Sequence, residues 1–323
     1  MNAPTQSRYS LVVDDATNFL QEKLPTREML LSPFLEAKSL GMIHAWRGVG
    51  KTHVMLGMAV AQASGGKFLN WQAPKASRVI YVDGEMADTN IQKWLHETVE
   101  QGGMPALRYG MFNLIARDRQ SRGIPSLLTY EGQGLIDEHL RSDEPTTIYL
   151  DNISSLFRGG NEKESMDWED AQEWLLELRS QGHSVVLAHH DGKGGLQRGT
   201  SSREDSLDWV IQLRRPKNYQ FEEGLRVEIH LEKGRCLYGP AARPFEASLV
   251  QDPQGKTIWA LKEMQDAVAD LIVQMHDGQG ASYRDIAKVL STAGNPITHT
   301  WVRKLYDKAV AKAEATDGAQ PVL

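Results

Sequence analysis

One cysteine, Cys236, stands in 323 residues. A single thiol excludes an internal disulfide framework and leaves no cysteine cluster to hold zinc, so a reducing cytoplasm is the expected compartment and Cys236 is expected to be a small buried hydrophobe. No apolar run approaches the roughly 18 residues of a membrane helix, and the start, MNAPTQSRYS, lacks the charged-then-apolar layout of a secretory signal. A soluble chain with no membrane partner is therefore expected. Internal repeats and low-complexity tracts are absent too. Neither sign of charge dominates: 36 basic residues stand against 42 acidic ones, a net of −6. That balance argues against a surface coated for nucleic acid and leaves room for a local basic patch or a positively lined channel.

What is present belongs to a folded chain. Hydrophobic residues make up 41% and charged residues 24%, which excludes a largely disordered protein. Residues 1–35 mix apolar and charged side chains around a helix expected from about Asp14 to Lys23, and read as an arm or a lid. The middle alternates short β-rich runs, Met42–Ala45, Val79–Val82, Thr146–Leu150 and Ser184–Ala188, with periodic helical stretches. Such alternation specifies an α/β fold: a mostly parallel sheet with crossover helices on both faces. Trp209–Leu213, Leu225–Leu231 and Thr257–Leu261 follow with little helix between them, which predicts antiparallel strands added at one edge. The expected domains are the arm (1–35), the α/β core (36–262) and a small C-terminal helical domain (263–323) of helix-turn-helix or winged-helix-like form. In the last, Ser282 caps Tyr283–Leu290 and a Gly294-Asn295-Pro296 turn leads to Thr298–Ala313.

The segment Ala45-Trp46-Arg47-Gly48-Val49-Gly50-Lys51-Thr52 ends an apolar strand and opens an apolar helix, His53–Ala63. That is the setting of a phosphate-binding P-loop (Walker A). Glycine-rich backbone N–H groups and a helix N-terminus make an anion-binding concavity; Lys51 adds a point charge for the outer phosphates and the Thr52 hydroxyl serves Mg2+. The expected nucleotide contacts run from Arg47 through Gly48, Val49, Gly50, Lys51 and Thr52 to His53. The full pattern has glycine at the place of Ala45, a departure that costs little where φ is negative.

Magnesium needs a carboxylate near Thr52, and Asp151 ends an apolar strand at the sheet edge where ligands gather. Hydrolysis needs a group that orients and deprotonates water; Glu85, in Asp83-Gly84-Glu85-Met86 just after a strand, is the expected base, with Asp83 as its rival. The fourth strand ends in His189-His190-Asp191-Gly192-Lys193, and His190 is expected to sense the outer phosphate.

Together these residues resemble the RecA-like ATPases, and within them the hexameric replicative helicases of the RepA and DnaB kind, especially the RepA-like ATPases of plasmids and mobile elements. The resemblance covers roughly residues 30–250. Its most specific stretch is Leu187-Ala188-His189-His190-Asp191-Gly192-Lys193-Gly194, then Gln197-Arg198-Gly199-Thr200-Ser201-Ser202, then Asp205-Ser206-Leu207-Asp208-Trp209-Val210. It implies ATP and Mg2+ as cofactors and a homohexamer in which Arg198 reaches the γ-phosphate of the neighbouring subunit. The run Leu231-Glu232-Lys233-Gly234-Arg235 is similar to the lysine-x-arginine element of DnaB-like proteins, which makes Lys233 and Arg235 second candidates for that contact. In such rings, loops after the third and fourth core strands grip single-stranded DNA in the channel. Here they would offer Arg158, Gly159, Gly160 and Lys163, then Lys193 and Gly194.

Residues 281–314 set six basic side chains, Arg284, Lys288, Arg303, Lys304, Lys308 and Lys312, against three acidic ones, a net of +3 that leaves −9 for the rest. This basic helical module is expected to meet duplex DNA or a replication protein, with Thr298, His299, Arg303 and Lys304 on the recognition helix. Two functions fit: a helicase serving replication of a plasmid, phage or mobile element, and a RecA-like regulatory switch that binds DNA or a partner without unwinding.

Overall fold

The computed structural model describes residues 11–100, 104–159, 165–191, 205–235, 237–264, 267–291 and 296–317. They fall into two compact units: Met1–Leu213 with Leu231–Ala242, and Arg214–His230 with Arg243–Leu323. In chain order the first unit holds α1 (Ala16–Gln21), β1 (Met29–Leu31), β2 (Leu35–Glu36), β3 (Leu40–Ala45), α2 (Lys51–Ser64), β4 (Lys67–Phe68), β5 (Trp71–Gln72) and β6 (Arg78–Asp83). It continues with α3 (Asp88–Glu100), β7 (Phe112–Ala116), α4 (Tyr130–Asp137), β8 (Thr146–Asp151), α5 (Ile153–Leu156), α6 (Ser165–Ser180), β9 (Ser184–His190) and β10 (Trp209–Arg214).

The strands order themselves β10-β3-β9-β8-β6-β7, and each neighbouring pair is parallel. Parallel strands are covered on both faces, which is why their central positions, as in Ile148-Tyr149-Leu150 and Val185-Val186-Leu187, are apolar in succession rather than alternately. Alternation assigns the faces. Met42, Ile80, Val82, Ile148, Leu150, Val185 and Leu187 pack with Ile136 of α4, Leu156 of α5 and Trp174, Leu175 and Leu178 of α6. Thr147 and Tyr149, on the other face of β8, bond Gln62 of α2. Helix α2 is buried on nearly every side, so its sequence, VMLGMAVAQA, shows no polar stripe.

The expected mostly parallel α/β core is thus observed, with two changes. Trp209–Arg214 is parallel to β3, pairing Trp209 with Gly41 through Leu213 with Ala45, and so is not one of the antiparallel additions. The core also begins before residue 36: Leu31 and Leu35 of the β1–β2 hairpin are fully buried, and Ser32 and Gln72 exchange backbone hydrogen bonds. Upstream, α1 carries no buried residue.

The second unit takes in the first part of β11 (Arg226–Gly234), then β12 (Phe245–Gln251), β13 (Thr257–Glu263), α7 (Ala267–Val273), α8 (Tyr283–Leu290) and α9 (His299–Asp317). Strands β11, β12 and β13 are antiparallel in that order. Strands β12 and β13 therefore group with the C-terminal helices, where the sequence had placed a boundary near residue 262. Ser282 caps α8 as expected, accepting from Asp285 N–H. A small core of Ile272, Ile286, Ala287 and Val302, flanked by Tyr283, Leu305 and Tyr306, holds the three helices together. Among the described residues no helix is long and apolar enough to cross a membrane. Cys236 lies outside the described residues.

Candidate nucleotide site

The loop between β3 and α2 takes its left-handed turns at Gly48 (φ 73°) and Gly50 (φ 114°), conformations that a side chain would strain. Ala45 carries no such demand: it closes β3 in register with His190 and Leu213, and this is why alanine is tolerated there. The ammonium of Lys51 donates to the carbonyls of Ala45 at 3.0 Å and Trp46 at 3.4 Å. Burial drives its pKa down to about 8, against the pull of Asp151, Asp191 and Glu85, while Arg47 adds to the depression. Burial and the like charge of Arg47 disfavour the charged form of this lysine, and an anion in the loop would favour it. The backbone bond of Val54 N–H to the Gly50 carbonyl lies one turn into α2, so the N–H groups before it point out of the helix end. Val49 is buried beneath the loop, whereas Arg47 is exposed.

His53 does less than the sequence suggested. Its ring stacks on Trp94 of α3, centroids 3.9 Å apart, and burial lowers its pKa to about 4. What it can offer a phosphate is its N–H at the helix terminus; the neutral ring joins α2 to α3.

Asp151 is buried at the tip of β8 and accepts from the Tyr81 hydroxyl at 2.8 Å. Burial pushes its pKa up, while hydrogen bonds from Thr52 and Tyr81 and the charge of Lys51 hold it down. Asp83 lies beside it in register. Burial, reinforced by Asp151, raises Asp83 to about 7, and its Oδ2 accepts from Met86 N–H at 3.0 Å. The rival base is therefore a buried, turn-forming carboxyl. Glu85, by contrast, has a side chain 62% exposed. Its Oε2 accepts from Asn152 Nδ2 at 2.5 Å and lies 3.8 Å from His190 Nε2. The His190 ring is held below its ordinary pKa by burial and by Lys51, with Glu85 opposing. A neutral ring that bonds without contributing charge suits a sensor.

The structure thus brings together Lys51, Thr52, Asp151, Glu85 and His190. Arg198, Gly160, Lys163, Lys193 and Gly194 lie outside the described residues. Lys233 and Arg235 are turned onto their own chain: Lys233 reaches the Asp205 carbonyl at 3.4 Å, and Arg235 reaches those of Leu207 at 3.2 Å and Asp205 at 2.9 Å. Arg158 is likewise spent on the Ile124 carbonyl, and Gly159 is exposed with φ 102°. Sequence reasoning missed two parts. Asn152 holds Glu85; its signal is a second polar side chain after Asp151. His44 interrupts the apolar run of β3, and that interruption marks it.

The residues fit a magnesium nucleoside triphosphate. Among the described residues no cluster of three His, Cys, Asp or Glu side chains offers a metal cage, and Mg2+ bound with substrate phosphates needs only one or two protein carboxylates. His190 Nδ1 and Asp83 Oδ1 are buried with no hydrogen-bond partner among the described residues, so polar capacity remains around the loop.

No curated protein matches the chain. Among solved structures it is similar to the KaiC-like protein PH0186 of the archaeon Pyrococcus horikoshii OT3, at 14% identity over 72% of this chain and 93% of that one, with a TM-score of 0.46. The AAA domain family matches residues 3–195. That span runs through the phosphate loop, Glu85 and Asp151 to His190, and over it the chain belongs to the AAA domain family.

Proposed function

We propose that this chain is an ATP-dependent DNA helicase that works as a hexamer, hydrolysing ATP at subunit interfaces to move along single-stranded DNA in the replication of a plasmid, phage or mobile element. The observation that carries the reading is the Asn152–Glu85–His190 cluster beside Lys51. It joins a base positioned for water to a sensor at the root of the segment where the resemblance puts the trans arginine, Arg198.

Bound Mg-ATP supplies an electrophilic γ-phosphoryl group whose charge the metal spreads. This chain's residues do the rest. Lys51 would exchange its carbonyl partners for phosphate oxygens, and Asp151 with Thr52 would hold the metal. Asn152 fixes one oxygen of Glu85, leaving the other to take a proton from water. Lys233 and Arg235, bonded to residues 205–207, anchor the chain just after Arg198, which supports delivery of that arginine to a neighbour. An isolated subunit should then hydrolyse slowly, since a finger supplied in trans is worth about 10³–10⁵ in turnover.

A second reading, a DNA- or partner-bound switch without unwinding, is favoured by the C-terminal helices. Arg303, Lys304 and Lys308 of α9 are exposed together with Trp301, which is 42% accessible. One experiment separates the readings: ATPase rate with and without single-stranded DNA, mass by light scattering in Mg-ATP, and unwinding of a forked duplex. A ring with DNA-stimulated turnover and unwinding is expected; DNA-indifferent turnover without unwinding would leave the switch. Lys51→Ala is expected to abolish hydrolysis and weaken nucleotide binding, and retained turnover would overturn both readings.

A further inference from the structure

We infer that His44, as an imidazolium, is a positioning residue for hydrolysis, clamping the end of β9 and strand β11 to the strand that carries the phosphate loop; the inference rests on the ATPase reading above.

His44 lies in β3, one residue before the loop, and its side chain is 2% exposed. Its Nδ1 is 2.7 Å from Asp191 Oδ1, and its Nε2 is 2.9 Å from Glu232 Oε2. Ionised carboxylates only accept, and a neutral imidazole has one N–H. A neutral ring would aim a lone pair at one of these oxygens at under about 3 Å, the distance of a hydrogen bond without its proton. Two N–H groups satisfy both. In register, Gln212 of β10 and His189 of β9 flank His44; the charges facing the ring are Asp191 and Glu232, with Lys51 beyond the Ala45 carbonyl. Burial draws the ring toward neutrality, and the two carboxylates outweigh it, so the pKa is raised above 6.5.

The placement gives the clamp its role. Asp191 N–H donates to the Ala45 carbonyl at 3.0 Å, and the same carbonyl accepts from Lys51. Asp191 also begins the path to Lys193 and Arg198, and Glu232 precedes Lys233. One ring therefore ties the phosphate grip to the segment that leads to Arg198 and to the strand beside whose end Lys233 and Arg235 hold Asp205 and Leu207. The protonated ring contributes this tie fully below pH 6.5, and the tie is lost as pH rises through the raised value.

The test uses the full chain. For the wild type, kcat should fall on the alkaline side while KM stays within about threefold, since a positioning group acts on the transition state rather than on binding. His44→Asn should lose about tenfold or more in kcat at pH 7, and the alkaline limb with it. Glu232→Gln should keep kcat within about threefold and flatten that limb, because an amide accepts from the charged ring and donates to the neutral one. An unchanged alkaline limb in Glu232→Gln, or 15N ring resonances of His44 showing a neutral tautomer at pH 7, would overturn the inference. The ring resonances and Glu232→Gln carry the test if His44→Asn does not fold. Absence of all hydrolysis in the wild type counts against the proposed function, and the ring resonances still decide the state of His44.

Discussion

Replacing Gln62 by leucine should cost stability without touching the nucleotide. Gln62 is fully buried on α2. Its Nε2 donates to Ser77 Oγ at 2.9 Å and Thr147 Oγ1 at 2.6 Å, and its Oε1 accepts from Tyr149 OH at 2.9 Å. Leucine fills similar space and offers none of these bonds. Ser77 is half-buried and can turn to water, but Thr147 and Tyr149 are buried and are left stranded. At about 1–3 kcal/mol for each stranded group, less the apolar gain of leucine, the net loss should be about 2–4 kcal/mol. Urea unfolding followed by circular dichroism reads it as a lower midpoint at constant slope. The Tyr149→Phe background should shrink the effect, with a coupling of at least about 1 kcal/mol, because both substitutions break the same bond. Gln62 lies some three turns along α2, about 16 Å from Lys51, so nucleotide affinity should hold within about twofold. A loss under about 0.5 kcal/mol, or strictly additive variants, would refute the claim that this buried amide joins α2 to the sheet.

Two further outcomes are expected. A methyl group at Gly41 would meet Trp209 Cε2 at 2.0 Å, and that indole is buried against Phe34. Gly41→Ala should therefore destabilise by about 1–3 kcal/mol or more, seen as a drop in Tm; an unchanged Tm would mean that Trp209 moves freely. Arg198→Ala should bind nucleotide yet lose hydrolysis, and mixing it with Glu85→Gln should restore turnover at interfaces that combine an intact base with an intact arginine; no rescue in the mixture argues against shared sites.

The core strands were legible because burial on both faces leaves an unbroken apolar signature, as in Val79-Ile80-Tyr81-Val82. Strand β7 was not: Phe112–Ala116 is half-buried over most of its length at the end of the strand order, and its five residues carry an asparagine. The direction of β10 escaped because no plain helical pattern marks residues 191–208, and a parallel return needs a crossover that the eye looks for. At the site, Lys51, Thr52, Asp151 and Glu85 follow from local sequence, since each sits at a strand end or a glycine turn. The roles of Asn152 and His44 depend on partners 67 and 147 residues away in the chain, which no local pattern reports.

The shared carbonyl of Ala45 has a consequence for how an anion would enter. When Lys51 swings to a phosphate it abandons an acceptor inside the protein, and an abandoned buried carbonyl ordinarily resists such a move by about 1–3 kcal/mol. Here the Asp191 N–H stays behind on that oxygen. The lysine is thus held on a latch that closes itself after release, since its move to an arriving anion leaves the Ala45 carbonyl bonded.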